Sequence, residues 1–313
     1  RFRHLSILCN LPGAQELMWP PCLIFSGGYP RFSAAQDRTF FEIPGGFVMG
    51  QLATRIRGPV SVIGDVHGQV DQLVSVLDQL RSRPDYDERC IVFIGDIVDR
   101  GPDSKGAMDI VCDLLVEHPR TTMVSGNHEL AMAGALNLIP TPDYADWAPR
   151  WINDYLSEST FESYGVDHGD LEGLRSALPD RHVDLLTDLP WGIEHPEFYF
   201  VHAGLDPNTP FDMQIRILRQ KDYSLNRPQW LCSKSYVDSP VPQDCPVAVV
   251  SGHVQIPAVR MEQKKILIDT TGGEGGDLSC VLLPEREVIS SSGNPAVEVV
   301  GESRSKKSRW KLW

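Results

Sequence analysis

The sequence lacks the long apolar run that a membrane-spanning helix needs. No stretch approaches the ~20 consecutive apolar residues required to cross a bilayer. The seven cysteines are odd in number, scattered and without a paired spacing, which argues against a disulfide framework or a zinc knuckle. We therefore expect a cytoplasmic protein with reduced thiols and no membrane partner.

The sequence also lacks an excess of basic residues. Lys and Arg number 29 against 42 Asp and Glu, which gives a net charge of −13. This balance argues against a nucleic-acid backbone as the main partner. The hydrophobic content of 42% and the charged content of 23% are those of an ordinary globular protein.

The two ends of the chain carry no functional motif. Residues 1–57 contain only short apolar pieces without a sustained period, and these are too short for a secretory signal. We interpret them as an N-terminal extension, either poorly ordered or derived from an over-extended reading frame. Residues 291–313 end in a basic segment that we expect to be disordered, so the functional domain is expected over 58–290.

Three short motifs recur at equal intervals in the first half of that domain. They are GDVHG at residues 64–68, GDIVDRG at 95–101 and GNHE at 126–129, and their first glycines are 31 residues apart. Each follows a short apolar run typical of a β-strand, so the interval fits one strand, one helix and their loops. Ligands of such βαβ units bind beyond the carboxyl ends of the parallel strands. The three motifs should therefore meet at one edge of one sheet.

The residue types in these motifs are those of a metal site. Asp65 and His67 are two positions apart, so in an extended segment they point to the same face and can bind one cation together. Asp96, Asn127 and His128 bring further oxygen and imidazole ligands. A single such motif could be an ordinary strand-to-loop turn, but three at equal spacing favour the metal site.

The remaining pattern predicts an α/β domain with an insertion. Apolar residues at helical spacing predict a helix over 69–80, and Ser104 is the predicted N-cap of a helix ending at Glu117. Residues 131–196 are predicted to form a helical insertion with core aromatic residues, among them Tyr144. The run at 272–276 is interpreted as a turn, since no Lys-Ser/Thr and helix follow it.

These motifs resemble the signature of a known family. With the VHAG segment at 201–204 and the SGH segment at 251–253, they are similar to the phosphoprotein phosphatase (PPP) family of metallophosphoesterases. The variant resembles the bacterial and bacteriophage-lambda type of serine/threonine protein phosphatase, over roughly residues 58–285. The resemblance implies an α/β (α+β) fold with four layers, α/β/β/α, in which helices flank a β-sandwich.

The resemblance also implies a set of metal ligands. Two divalent ions would share Asp96 and activate a water for in-line attack on phosphorus. Mixed oxygen and nitrogen ligands favour Mn²⁺, Fe or Zn²⁺, and bacterial members of the family commonly use Mn²⁺. The implied ligands are Asp65, His67 and Asp96 for the first ion and Asp96, Asn127, His202 and His253 for the second.

Other residues take catalytic and substrate-binding roles by the same resemblance. His128 would be the general acid that protonates the leaving oxygen, with Asp99 orienting it. The guanidinium of Arg100 would bind two phosphate oxygens. Relatives carry a second phosphate-binding Arg, and here Lys234 is nearest to that place, with Arg219 and Arg227 as competitors. A lysine offers a point charge instead of a planar fork, so we expect weaker phosphate binding.

The sequence thus predicts a phosphomonoester hydrolase that acts on phosphoserine or phosphothreonine of a phosphoprotein or phosphopeptide partner. One alternative is a dinucleoside-polyphosphate or phosphodiester hydrolase of the same superfamily. The motifs at 64–68 and 98–101 argue against its symmetrical dinucleoside tetraphosphatase branch. Another alternative is a non-catalytic phosphopeptide-binding module, which the intact ligand set and His128 speak against.

Overall fold

The computed structural model describes residues 52–300, and their strands form two β-sheets. The strands are β1 (Val60–Ile63), β2 (Cys90–Phe93), β3 (Thr121–Met123), β4 (Ile193–Glu194), β5 (Phe198–Phe200), β6 (Ala248–Ser251), β7 (Val259–Met261), β8 (Lys265–Leu267), β9 (Ser279–Leu283), β10 (Glu287–Ser290) and β11 (Val297–Val299). The five-stranded sheet has the order β10-β9-β1-β2-β3, and the six-stranded sheet has the order β11-β7-β8-β6-β5-β4.

Nine α-helices lie within residues 52–300. They are α1 (Val70–Arg81), α2 (Ser104–Glu117), α3 (Asn127–Ala135), α4 (Trp147–Asp154), α5 (Glu158–Ser163), α6 (Leu171–Ala177), α7 (Asp180–Asp188), α8 (Phe211–Gln220) and α9 (Gln229–Cys232). Short 3₁₀ turns cover Tyr86–Glu88, Asp143–Ala145 and Lys234–Val237. No helix of this described part is long and apolar enough to cross a membrane.

Successive side chains along each strand point alternately into two cores, one between the two sheets and one between a sheet and the helices. In β1, Val60 and Val62 belong to the core between the sheets, whereas Ile63 faces the helices. In β5, Phe200 lies in the core between the sheets and Tyr199 in the helix-facing core. This period of two means that both faces of each sheet are covered. The arrangement confirms the predicted β-sandwich flanked by helices.

The predicted βαβ rhythm is present in the five-stranded sheet. β1 pairs in parallel with β2, and β2 pairs in parallel with β3, with α1 and α2 as the crossover helices. α1 buries Leu73, Val76, Leu77 and Leu80, the apolar face that the spacing predicted. The carboxyl ends of three strands consequently open at one edge.

The cap of α2 differs from the prediction by one residue. The N-cap is Asp103, whose side chain accepts a hydrogen bond from the backbone N–H of Gly106 at 2.7 Å. Ser104 is not free to cap, because its hydroxyl accepts the backbone N–H of Asp99 at 2.9 Å. Ser104 thus supports the loop after β2 instead of the helix.

The predicted insertion contains most of α3 and all of α4 to α7. Trp147, Trp151 and Phe161 are buried in its core. Tyr144 was predicted as a core aromatic residue, but it is 61% exposed. Its hydroxyl donates to the carbonyl of Ser224 at 2.6 Å, so this side chain ties the insertion to a surface segment instead of filling the core.

The ordered structure extends beyond the predicted limits at both ends. Leu52 and Ile56 are buried, and the N–H of Ile56 donates to the carbonyl of Glu194 at 2.9 Å, although both lie in the segment predicted as an extension. β11 lies in the predicted tail and pairs in parallel with β7, since its valines allow an extended edge strand. The predictions of poor order at 1–51 and 301–313 concern residues outside the described range.

Candidate active site

The carboxyl ends of five strands deliver polar side chains to one place. β1 to β3 come from one sheet, whereas β5 and β6 come from the other, so the site spans the end of the sandwich. The side chains are Asp65 and His67 after β1, Asp96, Asp99 and Arg100 after β2, Asn127 and His128 after β3, His202 after β5, and His253 after β6.

Two groups of these side chains are spaced for a metal ion. In one group the ligand atoms of His67, Asp96 and His128 lie within 4.8 Å of one another, and in the other those of Asp96, His202 and His253 do. Asp96 belongs to both. Its Oδ2 lies 3.2 Å from His202 Nε2 and 3.7 Å from His67 Nε2. A carboxylate in this position can bridge two cations and offset their repulsion.

Asp65 and Asn127 approach these groups without belonging to them. Asp65 Oδ2 accepts the backbone N–H of His253 at 2.9 Å, and Asn127 Oδ1 lies 3.0 Å from His202 Nε2. The structure therefore brings together all the residues implied as ligands. Nε2 of His128, the residue implied as the general acid, lies 3.8 Å from Oδ2 of Asp96, and Asp65 contacts the backbone of His253.

Backbone carbonyls orient two of the imidazoles. Nδ1 of His67 lies 2.8 Å from the carbonyl of Val98, and Nδ1 of His202 lies 2.8 Å from the carbonyl of Ile94. A carbonyl only accepts, so each Nδ1 carries the hydrogen and each Nε2 is directed at Asp96. Such second contacts are typical of histidines that bind a metal through Nε2.

The pKa values of Asp96 and of the histidines around it are strongly shifted. Burial alone would raise the pKa of Asp96, but the surrounding His202 and His128 hold it well below its usual value. Burial would lower the pKa of His202, but Asp96 raises it to about 10. By contrast, burial lowers the pKa of His253 to about 3, with His202 adding to the effect. These shifts show how much the cluster depends on compensating charge.

Several buried ligand atoms have no hydrogen-bond partner among residues 52–300. They include Oδ1 of Asp65, Nε2 of His67 and Nε2 of His253. Leaving such atoms unpaired costs about 1–3 kcal/mol each, which a bound cation would offset. The donor set of carboxylate oxygens and imidazole nitrogens fits two divalent ions of the Mn²⁺, Fe or Zn²⁺ type.

The backbone at the site is unusual. Five of the ten non-glycine residues with positive φ in the described range belong to the site, with φ between 46° and 73°: His67, Asp96, Asp99, Arg100 and His253. Each such conformation costs of order 1–3 kcal/mol and persists only where the surroundings impose it. Close packing adds a further constraint, because a Cβ at Gly126 would lie 2.0 Å from Oδ1 of Asp96.

His128 and Asp99 form a buried pair. Nδ1 of His128 lies 2.7 Å from Oδ2 of Asp99. Trp151 Nε1 donates to the same oxygen at 2.8 Å, and Thr160 Oγ1 donates to the other oxygen at 2.6 Å. Asp99 is therefore fixed from two sides and holds the proton on Nδ1, so Nε2 of His128 is the nitrogen available for chemistry. The sequence did not predict Trp151 and Thr160 here, since Trp151 reads as an ordinary core residue.

Glu129 is a second structural contributor that the sequence pattern did not reveal. Its buried carboxylate accepts the backbone N–H groups of Asp96 at 2.8 Å, Ile97 at 2.6 Å and Gly126 at 3.0 Å. One side chain thus links the loops after β2 and β3. The two linked loops are those that carry Asp96 and Asn127.

The turn that follows β8 supports the first motif. Thr271 Oγ1 donates to the carbonyl of Asp65 at 2.8 Å, and Arg100 Nη1 donates to the carbonyl of Gly272 at 2.9 Å. Asp269, at the start of this segment, is buried with one unpartnered oxygen, and burial raises its pKa to about 6. Residues 272–276 form a turn, as predicted, and it packs against the catalytic loops.

A cavity of about 310 Å³ opens at the candidate ligands and is lined by Asn127, His128 and His253. Arg100 lies in its wall, and three further cations, which we call the basic rim, line it as well: Arg150, Arg227 and Lys234. Asp154, Tyr155 and Cys232 complete much of the lining. Arg219, a predicted competitor for the phosphate, is directed elsewhere, since Nε and Nη2 donate to the carboxylate of Glu194 at 2.7 Å.

The model of the calcineurin-like phosphoesterase family matches residues 58–276. Serine/threonine-protein phosphatase 1 of Salmonella typhimurium is 33% identical over 104 residues, which are 32% of this chain and 45% of that protein. The chain spans less than half the length of the first curated relatives it matches.

The chain is also similar to two tetraphosphatases. The asymmetrical bis(5'-nucleosyl)-tetraphosphatase PrpE of Bacillus thuringiensis is 33% identical over 254 residues, which are 73% of this chain and 92% of that protein. A symmetrical bis(5'-nucleosyl)-tetraphosphatase of Legionella pneumophila is 39% identical over 80 residues, which are 25% of this chain and 26% of that protein. The similar proteins thus include serine/threonine phosphatases as well as tetraphosphatases of both kinds, and the family alone does not define the substrate.

Proposed function

The chain belongs to the calcineurin-like phosphoesterase family, and we propose that it is a metal-dependent phosphomonoester hydrolase acting on phosphoserine and phosphothreonine of proteins. The observation that carries this proposal is the buried His128–Asp99 pair beside the shared carboxylate Asp96. A serine or threonine alkoxide is a poor leaving group, so a positioned acid is the component that such a reaction needs.

The metal ligands divide around Asp96. Asp65, His67 and Asp96 would hold one divalent ion, and Asp96, Asn127, His202 and His253 would hold the other. When bound, such a pair supplies charge neutralisation at phosphorus and a water of lowered pKa. We propose Mn²⁺ as the metal, with Fe and Zn²⁺ as the alternatives that the same donor set accepts.

The residues of this chain supply the remaining parts of the reaction. Arg100, held by the carbonyl of Gly272, presents the rest of its guanidinium to the phosphate oxygens. Lys234, which also lines the cavity, adds a second positive charge. His128, with Asp99 on Nδ1, gives the proton on Nε2 to the leaving oxygen as the P–O bond breaks.

The second candidate function is hydrolysis of dinucleoside polyphosphates. It is favoured by the alignment that covers 92% of the PrpE tetraphosphatase, the longest of the alignments described above. The same ligands would serve either substrate, but a phosphoanhydride releases a phosphate group, which needs the proton of His128 less than an alkoxide does.

An assay with three substrates tests the proposal. A phosphoserine peptide, p-nitrophenyl phosphate and diadenosine tetraphosphate are compared with and without added Mn²⁺ after chelation. We expect metal-dependent release of phosphate from the peptide. Turnover of the tetraphosphate alone would replace the first candidate with the second, and no turnover of any substrate with metal bound would refute both.

A further inference from the structure

Four cations line the cavity of this acidic chain, namely Arg100 and the three residues of the basic rim. None of these four is paired with a carboxylate of residues 52–300 within 4.0 Å. The cavity wall contains one acidic residue outside the metal ligands, Asp154. A chain of net charge −13 thus keeps a concentrated and uncompensated positive charge at one place. Charge of one sign in a cleft attracts ligands of the opposite sign.

Two of these cations are held side by side. Nη1 of Arg150 donates to the backbone carbonyl of Asn226 at 3.1 Å and to its side-chain oxygen at 2.9 Å, and Asn226 immediately precedes Arg227. The Arg150 guanidinium also lies 4.2 Å above the ring of Trp147. The insertion therefore fixes Arg150 against the segment that carries Arg227.

Arg150 and Arg227 line the same cavity, together with Tyr155 and Cys232. Two cations that line one cavity repel each other, and an anion bound between them would offset that repulsion.

One phosphate does not need all of these charges. Arg100, Lys234 and the metal ligands already surround the scissile group. The cavity of about 310 Å³ is also larger than one phosphate requires, since a water takes ~30 Å³ and the volume corresponds to about ten waters.

We propose that Arg150 and Arg227 form a second phosphate subsite, which binds the phosphate attached to the scissile one in a phosphoanhydride chain. This inference rests on the proposed function for the position of the scissile phosphate, and it deepens the second candidate function by naming the residues that would bind the adjacent phosphate. Arg150 contributes Nε and Nη2, which have no hydrogen-bond partner in the described part of the chain. A planar guanidinium of this kind matches the oxygens of a phosphate.

Calorimetric binding of AMP and ADP tests the subsite without requiring turnover. The two ligands differ by one phosphate, and both are measured at a fixed free Mn²⁺ concentration. We expect ADP to bind at least about tenfold more tightly, which is ~1.4 kcal/mol. Arg150→Gln and Arg227→Gln should each reduce this ratio, and the double variant should bring it close to one.

Two controls accompany the measurement. Arg175→Gln removes an exposed charge from the same insertion but outside the cavity, and the ratio should stay at its original value. Arg150→Lys keeps the charge above Trp147 and should retain part of the preference, which separates loss of charge from loss of folding. Arg227 is exposed, so its replacement provides a second variant that preserves the core.

Several results would overturn the inference. These are equal binding of AMP and ADP by the unmodified protein, an equal loss for both ligands in the variants, or an arginine-dependent preference for a doubly phosphorylated peptide but not for ADP. A retained preference for ADP without hydrolysis of any substrate would refute the proposed function and leave the subsite standing.

Discussion

The candidate ligand cluster and the basic rim adjoin one cavity, but they are held in different ways. His67, Asp96 and His202 are buried, and each imidazole is fixed by a backbone carbonyl. Arg227 and Lys234 are exposed, and they come from an irregular segment and from a 3₁₀ turn. The ligand cluster is thus held by buried hydrogen bonds, whereas two of the three rim cations, Arg227 and Lys234, are exposed.

This difference indicates a division of labour between chemistry and substrate choice. Preorganised groups are needed where charge develops, and rigid burial provides that at a cost in strained backbone and unpaired atoms. Exposed cations act over longer distances and adapt to the ligand, which suits recognition of the part of the substrate away from the reacting bond. Changes in the ligand cluster should therefore alter the rate, and changes in the rim should alter binding.

The largest effect is expected at Asp96, the carboxylate common to both ligand groups. Asp96→Asn keeps the shape but removes the charge that would offset two cations, so metal and activity should be lost together. Elemental analysis and the phosphopeptide assay measure both. His253→Asn, a change at an outer ligand, should retain more metal. Full occupancy in Asp96→Asn would contradict the assignment.

A smaller but selective effect is expected at His128. His128→Asn should keep the metals and lose roughly 10²–10⁴ in kcat on a phosphoserine peptide, because an alkoxide needs the proton. The loss on p-nitrophenyl phosphate should be clearly smaller, since nitrophenolate leaves as a stable anion. Asp99→Asn should show a milder form of the same pattern.

The ratio between the two substrates is the decisive quantity for His128. Equal losses with metal intact would mean that the imidazole positions the phosphate and does not donate a proton. Loss of metal would mean that it is a ligand, as its place in one group with His67 and Asp96 allows.

The ligand cluster could be predicted from the sequence because its residues occur in short motifs that directly follow predicted strands. Asp65, Asp96 and Asn127 each follow a β-rich run, and parallel strands bring such ends together. The family resemblance implied the four-layer fold, and the helical spacing of apolar residues predicted α1. The boundaries of helices and strands were predicted less accurately, as the cap at Asp103 and the strand β11 show. Such boundaries depend on single hydrogen bonds and on edge pairing.

The rim could not be predicted in the same way. Arg150 lies in the insertion and Arg227 in a segment without regular structure, and neither stands in a motif. Their proximity depends on the contact between Arg150 and Asn226, 76 residues apart. Glu129 and Thr160 were missed for a similar reason, since a buried acid or hydroxyl is recognisable only when its backbone partners are known.

A moderate effect is expected at Glu129, which supports the ligand cluster without being part of it. Glu129→Gln replaces one accepting oxygen with a donor, leaving backbone N–H groups such as that of Asp96 or Ile97 unpaired. We expect unfolding to become easier by about 2–4 kcal/mol and metal affinity to fall ~10–100-fold. Thermal unfolding and metal titration check this. Exposed Glu172→Gln is the matched control, and unchanged metal affinity in Glu129→Gln would refute the supporting role.

The smallest effect is expected at Lys234, where the rim approaches the scissile phosphate. Its ammonium is exposed and flexible, so it should contribute a point charge to binding without affecting the rate. Lys234→Ala should raise KM several-fold with kcat nearly constant, and Lys234→Arg should lower KM by offering a planar fork. The change should be the same for AMP and ADP, because the residue would contact the phosphate that both share. Arg219→Ala, outside the cavity and paired with Glu194, should leave KM within twofold. If neither Lys234 variant changes KM, Arg100 is the only one of these cations that binds the scissile phosphate. The rim would then bind only the part of the substrate beyond that phosphate.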